Sequence, residues 1–170
     1  MKVYAITHVG RVRPVNEDSY CLPRDGERFC AVADGMGGHN AGEVASAMAV
    51  EVFAGCMRAS EKLNATAIHS AVRRANEVVY EESLRNENRS GMGTTFTALC
   101  VDGNVMHIAH VGDSRAYRIG SDEFMRVTND HTLVEELVQR GVISAKMARV
   151  HPQRNVITRA LAPTKLWRSI

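Results

Sequence analysis

Acidic residues gather at three places where the chain is set to turn or to end a strand: Glu17-Asp18, Asp34 and Asp113. Glycines surround the last two, with Gly35, Gly37 and Gly38 after Asp34 and Gly112 before Asp113. Carboxylates and exposed carbonyls brought together at strand ends form a hard-oxygen site, and the cations that match it are Mg²⁺ or Mn²⁺. A glycine directly after Asp34 leaves room for its own carbonyl to turn toward an ion that Asp34 ligates. Asp-Gly is equally a common turn, and the glycines at 35, 37 and 38 could cradle a phosphate. No Gly-Lys-Ser/Thr follows, however, and the G-x-G-x-x-G spacing is absent, so a nucleotide-binding fold has little support.

Other chemistries fit less well. His39, His107, His110 and His131 show no H-E-x-x-H pairing, and His107 and His110 fall on opposite faces of a strand. They are read as structural, and zinc hydrolysis is set aside. There is no G-x-S-x-G elbow, and Ser114 follows Asp113 with no evident base. The four cysteines are dispersed without a C-x-x-C pair, which argues against a disulfide framework or a zinc knuckle. Cys56 and Cys100 read as small buried apolar groups.

The elements that must hold the acidic clusters can be read from periodicity. Residues 2–9 are short and β-branched and predict a strand. A polar stretch from Gly10 to Asp18 follows, then a strand over 28–33 that ends at Asp34-Gly35. Ala41, Val44, Ala45, Met48, Ala49, Val52, Phe53 and Cys56 recur at helical spacing and predict one apolar stripe. A second helix is capped by Asn64 and buries Ile68, Ala71, Val72, Ala75, Val78 and Val79, with Arg73, Arg74, Glu77 and Glu81 on a solvated face. Residues 94–128 shift to a period of two, with turns at Asp102-Gly103 and Gly120-Ser121-Asp122, as in an antiparallel meander. A short helix over Leu133–Val138 stops at Gly141. This order indicates a layered α+β fold.

At 170 residues the chain suits one domain with one core. Hydrophobic residues make up 45% and charged residues 24%, an ordinary globular composition. The net charge of +2 argues against duplex DNA or an anionic membrane as the dominant partner. No apolar run approaches the roughly 20 residues needed to span a bilayer, and the first residues are too short an apolar stretch for a signal-peptide core. A cytoplasmic location is therefore expected.

The motifs then join. Gly10-Arg11-Val12-Arg13-Pro14-Val15-Asn16-Glu17-Asp18-Ser19-Tyr20, Ala31-Val32-Ala33-Asp34-Gly35-Met36-Gly37-Gly38-His39, Gly93-Thr94-Thr95 and His110-Val111-Gly112-Asp113-Ser114-Arg115 occur in order. Thr128-Asn129-Asp130-His131-Thr132 and Arg154-Asn155-Val156-Ile157-Thr158-Arg159-Ala160-Leu161 complete the series. Together they resemble the bacterial-type members of the type 2C metal-dependent Ser/Thr protein phosphatases, the PPM family.

The resemblance implies a four-layer α-β-β-α sandwich of two antiparallel sheets flanked by helices, with metals in a cleft at one edge. It implies that Asp34 bridges two Mn²⁺ or Mg²⁺ ions, that the Gly35 carbonyl is a further ligand, and that Glu17 and Asp18 hold one ion directly or through water. Asp113 matches a carboxylate near an additional, weaker metal position. Arg13 matches the arginine that grips the substrate phosphate, a bidentate task suited to guanidinium. The implied reaction is hydrolysis of phosphoserine and phosphothreonine in proteins by a metal-activated water, opposing a cognate Ser/Thr kinase. Met36 stands where some relatives carry a histidine proposed as general acid.

The resemblance covers residues 1–161 as a partial domain. The family pattern continues with a Ser-Asp-Gly stretch and a late Asp-Asn, both supplying aspartates to the metal site; this sequence instead reads a divergent tail over 162–170. Without those carboxylates, and without the strands that the later segment contributes, apolar sheet surface should stay open and activity should be severely reduced. A catalytically impaired phosphoprotein-binding or regulatory module is the alternative expectation.

Overall fold

A computed structural model describes residues 1–37 and 41–162. The expectations for Gly38 and His39, and for the tail beyond Ala162, lie outside the described residues.

The main sheet has five antiparallel strands: β1 (Asp18–Cys21), β2 (Phe29–Met36), β3 (Gly93–Thr94), β4 (Phe96–Asp102) and β5 (Val105–Val111). They run in the order β1-β2-β4-β5, and β3 pairs with the far end of β2. A separate two-stranded hairpin is formed by β6 (Tyr117–Ile119) and β7 (Phe124–Arg126). Helices α1 (Gly42–Ala59) and α2 (Ala65–Arg85) pack on each other and on one face of the main sheet, and the short helices α3 (Leu133–Gln139) and α4 (Ala145–Val150) follow the hairpin.

Alternation decides which side chains meet the helices. Phe29, Ala31 and Ala33 of β2 and Phe96, Ala98 and Cys100 of β4 are buried toward α1 and α2. Phe53 of α1 sits at the centre, edge-on to Phe29 at 6.0 Å and to Phe96 at 5.2 Å between ring centroids. Edge-to-face contact is the arrangement that aromatic quadrupoles favour. Small residues (Ala45, Ser46, Ala49, Ala54) let α1 lie close to the sheet. Asn64 caps α2 as its sequence predicts, its side chain accepting from the Ala67 N–H at 2.9 Å. The other sheet face carries Asp18, Asp34 and Thr97 and leaves Tyr20, Val32 and Ile108 substantially exposed.

Several expectations need correction. Residues 2–9 form no strand: they have no ladder partner among the described residues, and Tyr4 and Ile6 stand almost fully in solvent. Local β propensity does not make a strand without a neighbour to pair with. The chain around Asp34-Gly35 is not a turn, because β2 continues through both residues to Met36 and pairs with β3. The strand that does precede β2 is β1, within a polar run that carries little strand signal. On α1 the buried stripe is centred on Ala45, Ala49, Phe53 and Met57, with Val44, Met48, Val52 and Cys56 at its margin. The helix faces both the sheet and α2, which widens the buried arc. On α2, Ser83 is buried where Val78 is only partly so.

Candidate metal and phosphate site

The site is built at the end of β2 where β1, β3 and the β5–β6 connection meet. In the β1–β2 pairing Asp18 lies directly opposite Asp34, so both carboxylates project from the same face, away from the helices. Like charges placed this way repel. Burial of the Asp34 carboxyl, then the charges of Asp18 and Asp113, push its pKa above the usual aspartate range, and Arg13 partly counters them.

Asp34 is fixed by its backbone. Its N–H donates to Thr95 Oγ1 at 3.0 Å, and its carbonyl accepts from the Thr95 N–H at 2.9 Å and from Thr94 Oγ1 at 3.0 Å. Both threonines are fully buried. Gly35 is glycine for a steric reason: a Cβ there would collide with the carbonyl of Gly42 at the start of α1 and come within 2.7 Å of the Glu17 carbonyl. The Gly35 N–H donates to that Glu17 carbonyl at 3.0 Å.

Glu17 is held from two sides. Its carbonyl also accepts from Ser46 Oγ at 2.6 Å, and Ser46 in turn meets Ser19 Oγ at 3.0 Å, so a buried serine on α1 locks the start of β1. The Glu17 carboxylate packs against Gly42 at the positive end of α1 and forms an ion pair with Arg13. The structure thus joins Arg13 and Glu17 to each other, with the Arg13 guanidinium largely exposed and close enough to act on Asp34.

Asp113 arrives on a loop clasped from below. Gly112 has a φ of 106°, in the region that favours glycine. A Cβ on it would come within 2.6 Å of the Thr95 side chain, so only glycine lets the loop approach. Its N–H donates to His131 Nδ1 at 3.2 Å and its carbonyl accepts from the His131 N–H at 2.8 Å. His131 stacks on His110, whose Nε2 donates to the Asn129 carbonyl at 3.1 Å while Nδ1 meets Thr97 Oγ1 at 2.9 Å. Burial pulls both imidazoles below their ordinary pKa, which agrees with neutral rings accepting at Nδ1. Arg115 grips Asp130 through Nε and Nη2, and that carboxylate holds the guanidinium above its usual range. His110 and His131 thus brace the Asp113 loop against the sheet, while His39 lies outside the described residues.

The donors present at this end of the sheet are all oxygen, matching a hard divalent cation. A cation would also offset both the burial and the charge repulsion that raise the Asp34 pKa. The described residues leave one buried side-chain oxygen without a hydrogen-bond partner, Glu43 Oε2, in the first turn of α1. Even so, no three His, Cys, Asp or Glu side chains among the described residues are grouped closely enough to hold an ion. Ser46, Thr94 and Thr95 were not assigned roles from sequence. The Gly-Thr-Thr motif flagged the threonines, and a serine beside the apolar stripe of α1 was the available sign for Ser46.

An antiparallel sheet covered on one face by a helix pair, with paired aspartates at a strand end and a guanidinium beside them, places the chain in the layered α+β class. Comparison with known proteins narrows the class. The sequence pattern of protein phosphatase 2C matches residues 11–158, and the chain belongs to this family. The serine/threonine protein phosphatase PstP of Mycobacterium tuberculosis is 40% identical over 153 residues, covering 89% of this chain and 29% of that protein. The serine/threonine phosphatase stp of Listeria innocua is 39% identical over 164 residues, covering 91% of this chain and 64% of its own length. The catalytic domain of PstP solved with two manganese ions superposes with a TM-score of 0.79 at 36% identity, over 92% of this chain and 65% of that one. The chain thus spans less than two thirds of these relatives. No helix among the described residues is long and apolar enough to cross a membrane.

Proposed function

We propose that this chain carries the phosphate- and metal-handling half of a protein serine/threonine phosphatase, acting in the cytoplasm on phosphorylated proteins and opposing a Ser/Thr kinase. The observation that carries the reading is the register of Asp18 opposite Asp34, with Asp113 and Arg13 near enough to shift the Asp34 carboxyl. Residues 1–161 are the phosphatase-type domain, and 162–170 are a tail of divergent sequence. Asp34, Asp18, Glu17, the Gly35 carbonyl and Asp113 are the oxygen donors for Mn²⁺ or Mg²⁺. A divalent cation held by these oxygens would supply Lewis acidity for activating water and would offset charge on the phosphoryl group.

The remaining work falls to the chain itself. Arg13, exposed at the rim, exchanges its bond to Glu17 for two bonds to the substrate phosphate, which frees the Glu17 carboxylate toward the metal side. The backbone bonds from Thr94 and Thr95 hold Asp34 still while that exchange occurs. The two manganese ions in the related PstP structure support this cation class.

A second reading is favoured by the lack of a three-residue ion cluster among the described residues: an impaired phosphoprotein-binding module that keeps Arg13 and one weak cation. Hydrolysis of a phosphothreonine peptide by the 170-residue chain, titrated with Mn²⁺ and compared with Asp34→Ala, separates the two. Turnover that rises with Mn²⁺ and vanishes in the variant supports the phosphatase. Phosphopeptide binding that needs Arg13, without turnover, supports the module.

A further inference from the structure

The Gly93-Thr94-Thr95 motif supplies no ligand in the reading above, yet Thr95 touches both the strand that carries Asp34 and the loop that carries Asp113. Its Oγ1 accepts the Asp34 N–H at 3.0 Å and is 2.8 Å from Ser114 Oγ, the residue after Asp113. Its Cβ and methyl group pack on Gly112, the residue before Asp113, where no Cβ could fit. Thr95 is 1% exposed, so neither bond can be replaced by bulk water. A hydroxyl has one proton and two lone pairs, enough to accept from Asp34 and share a second bond with Ser114 at once. One side chain thus joins strand β2 to the Asp113 loop.

We propose that the Thr95 hydroxyl, with Ser114, is the positioning group that sets the spacing between Asp34 and Asp113 and thereby the affinity of the chain for a divalent cation. This rests on the reading that both aspartates are cation donors. The hydroxyl fixes the backbone of one aspartate and, through a single further bond, the neighbour of the other. Carboxylates that are both backed by a fixed main chain lose less freedom when they close on an ion. Outer residues that orient ligands typically change metal affinity by about 10–100-fold when removed.

The test is Mn²⁺ binding by titration calorimetry to the 170-residue chain, without substrate. Thr95→Val keeps the shape and removes the hydroxyl, and should weaken Mn²⁺ binding about tenfold or more. Thr95→Ser keeps the hydroxyl and should stay within about threefold of the parent. Ser114→Ala leaves the Asp34 bond intact, breaks only the link to the Asp113 loop, and should weaken binding in the same direction as Thr95→Val by a smaller factor. In an Asp113→Asn background Ser114→Ala should then have no further effect, a non-additivity that general loosening would not produce. Thr95→Val and Ser114→Ala binding Mn²⁺ like the parent, Thr95→Ser falling as far as Thr95→Val, or full additivity with Asp113→Asn would overturn the proposal. If Thr95→Val fails to fold by circular dichroism, the Ser114→Ala pair decides alone. A parent chain that binds Mn²⁺ no better than Asp34→Ala would bring down the two-aspartate reading as well, a different result from normal binding that ignores Thr95.

Discussion

Strand β2 passes through two regions of opposite character. Over its first half Phe29, Ala31 and Ala33 are buried against Phe53 and the small residues of α1, and every contact there favours the folded state. Over its last residues Asp34 stands opposite Asp18 and near Asp113, so folding strips some water from a carboxyl and brings together charges that repel. The first region makes the strand; the second uses the strand to hold an unfavourable arrangement in place. Stability and chemistry thus occupy separate stretches of one element, and substitutions in them should pull in opposite directions.

The largest effect should come from the aromatic centre. Phe53 is the ring that meets both Phe29 and Phe96. Its replacement by alanine should cost about 3–5 kcal/mol in urea denaturation. A smaller loss would mean that α1 is not the main support of β2. Next comes the clasp beneath Asp113, where Asp130→Ala strips Arg115 of its bidentate partner. Losing charge-assisted hydrogen bonds of this kind should cost about 2 kcal/mol. If the cost is negligible, that loop is held by His131 and Thr95 instead.

Asp34→Asn should act the other way. The folded chain without metal binds the Asp34 proton more tightly than the unfolded chain does, because its folded pKa is raised. The stability held by the protonated group is complete below the ordinary aspartate pKa and declines as pH rises through the folded value. Asp34→Asn should remove that decline and raise the urea midpoint of the metal-free chain near neutral pH, while abolishing its Mn²⁺ response. An unchanged midpoint would show that the acidic end carries no penalty. The smallest change in stability belongs to Arg13→Ala, because the pair with Glu17 is at the surface. For an exposed pair the loss should stay below about 0.5 kcal/mol. Its phosphopeptide KM, or Kd if turnover is absent, should nevertheless rise.

Legibility in the sequence differed between these same regions. The helix pair was visible because burial over many turns leaves a period, and the Asn64 cap because its bond is local. The acidic positions were visible as residue types beside glycine. Their partnership was not, since the pairing of Asp18 with Asp34 depends on β1, a four-residue strand hidden in a polar run. The Gly35 requirement also has a non-local origin, the carbonyl of Gly42, and no spacing rule encodes it. Residues 2–9 show the converse: a good local signal that no partner strand answers among the described residues.

The face-to-face register of Asp18 and Asp34 has a consequence for how such a sequence can change length. Side chains alternate strictly along β1, so losing one residue inside Asp18–Cys21 would carry the aspartate to the helix side and send an inward group into solvent. The connection over residues 22–28 sits outside the ladder, and an insertion there leaves the paired aspartates where they are. Descendants of this chain can therefore change length in that connection ahead of Glu27, which is tied to Arg58 of α1, while the few residues of β1 are confined to substitution without change in number.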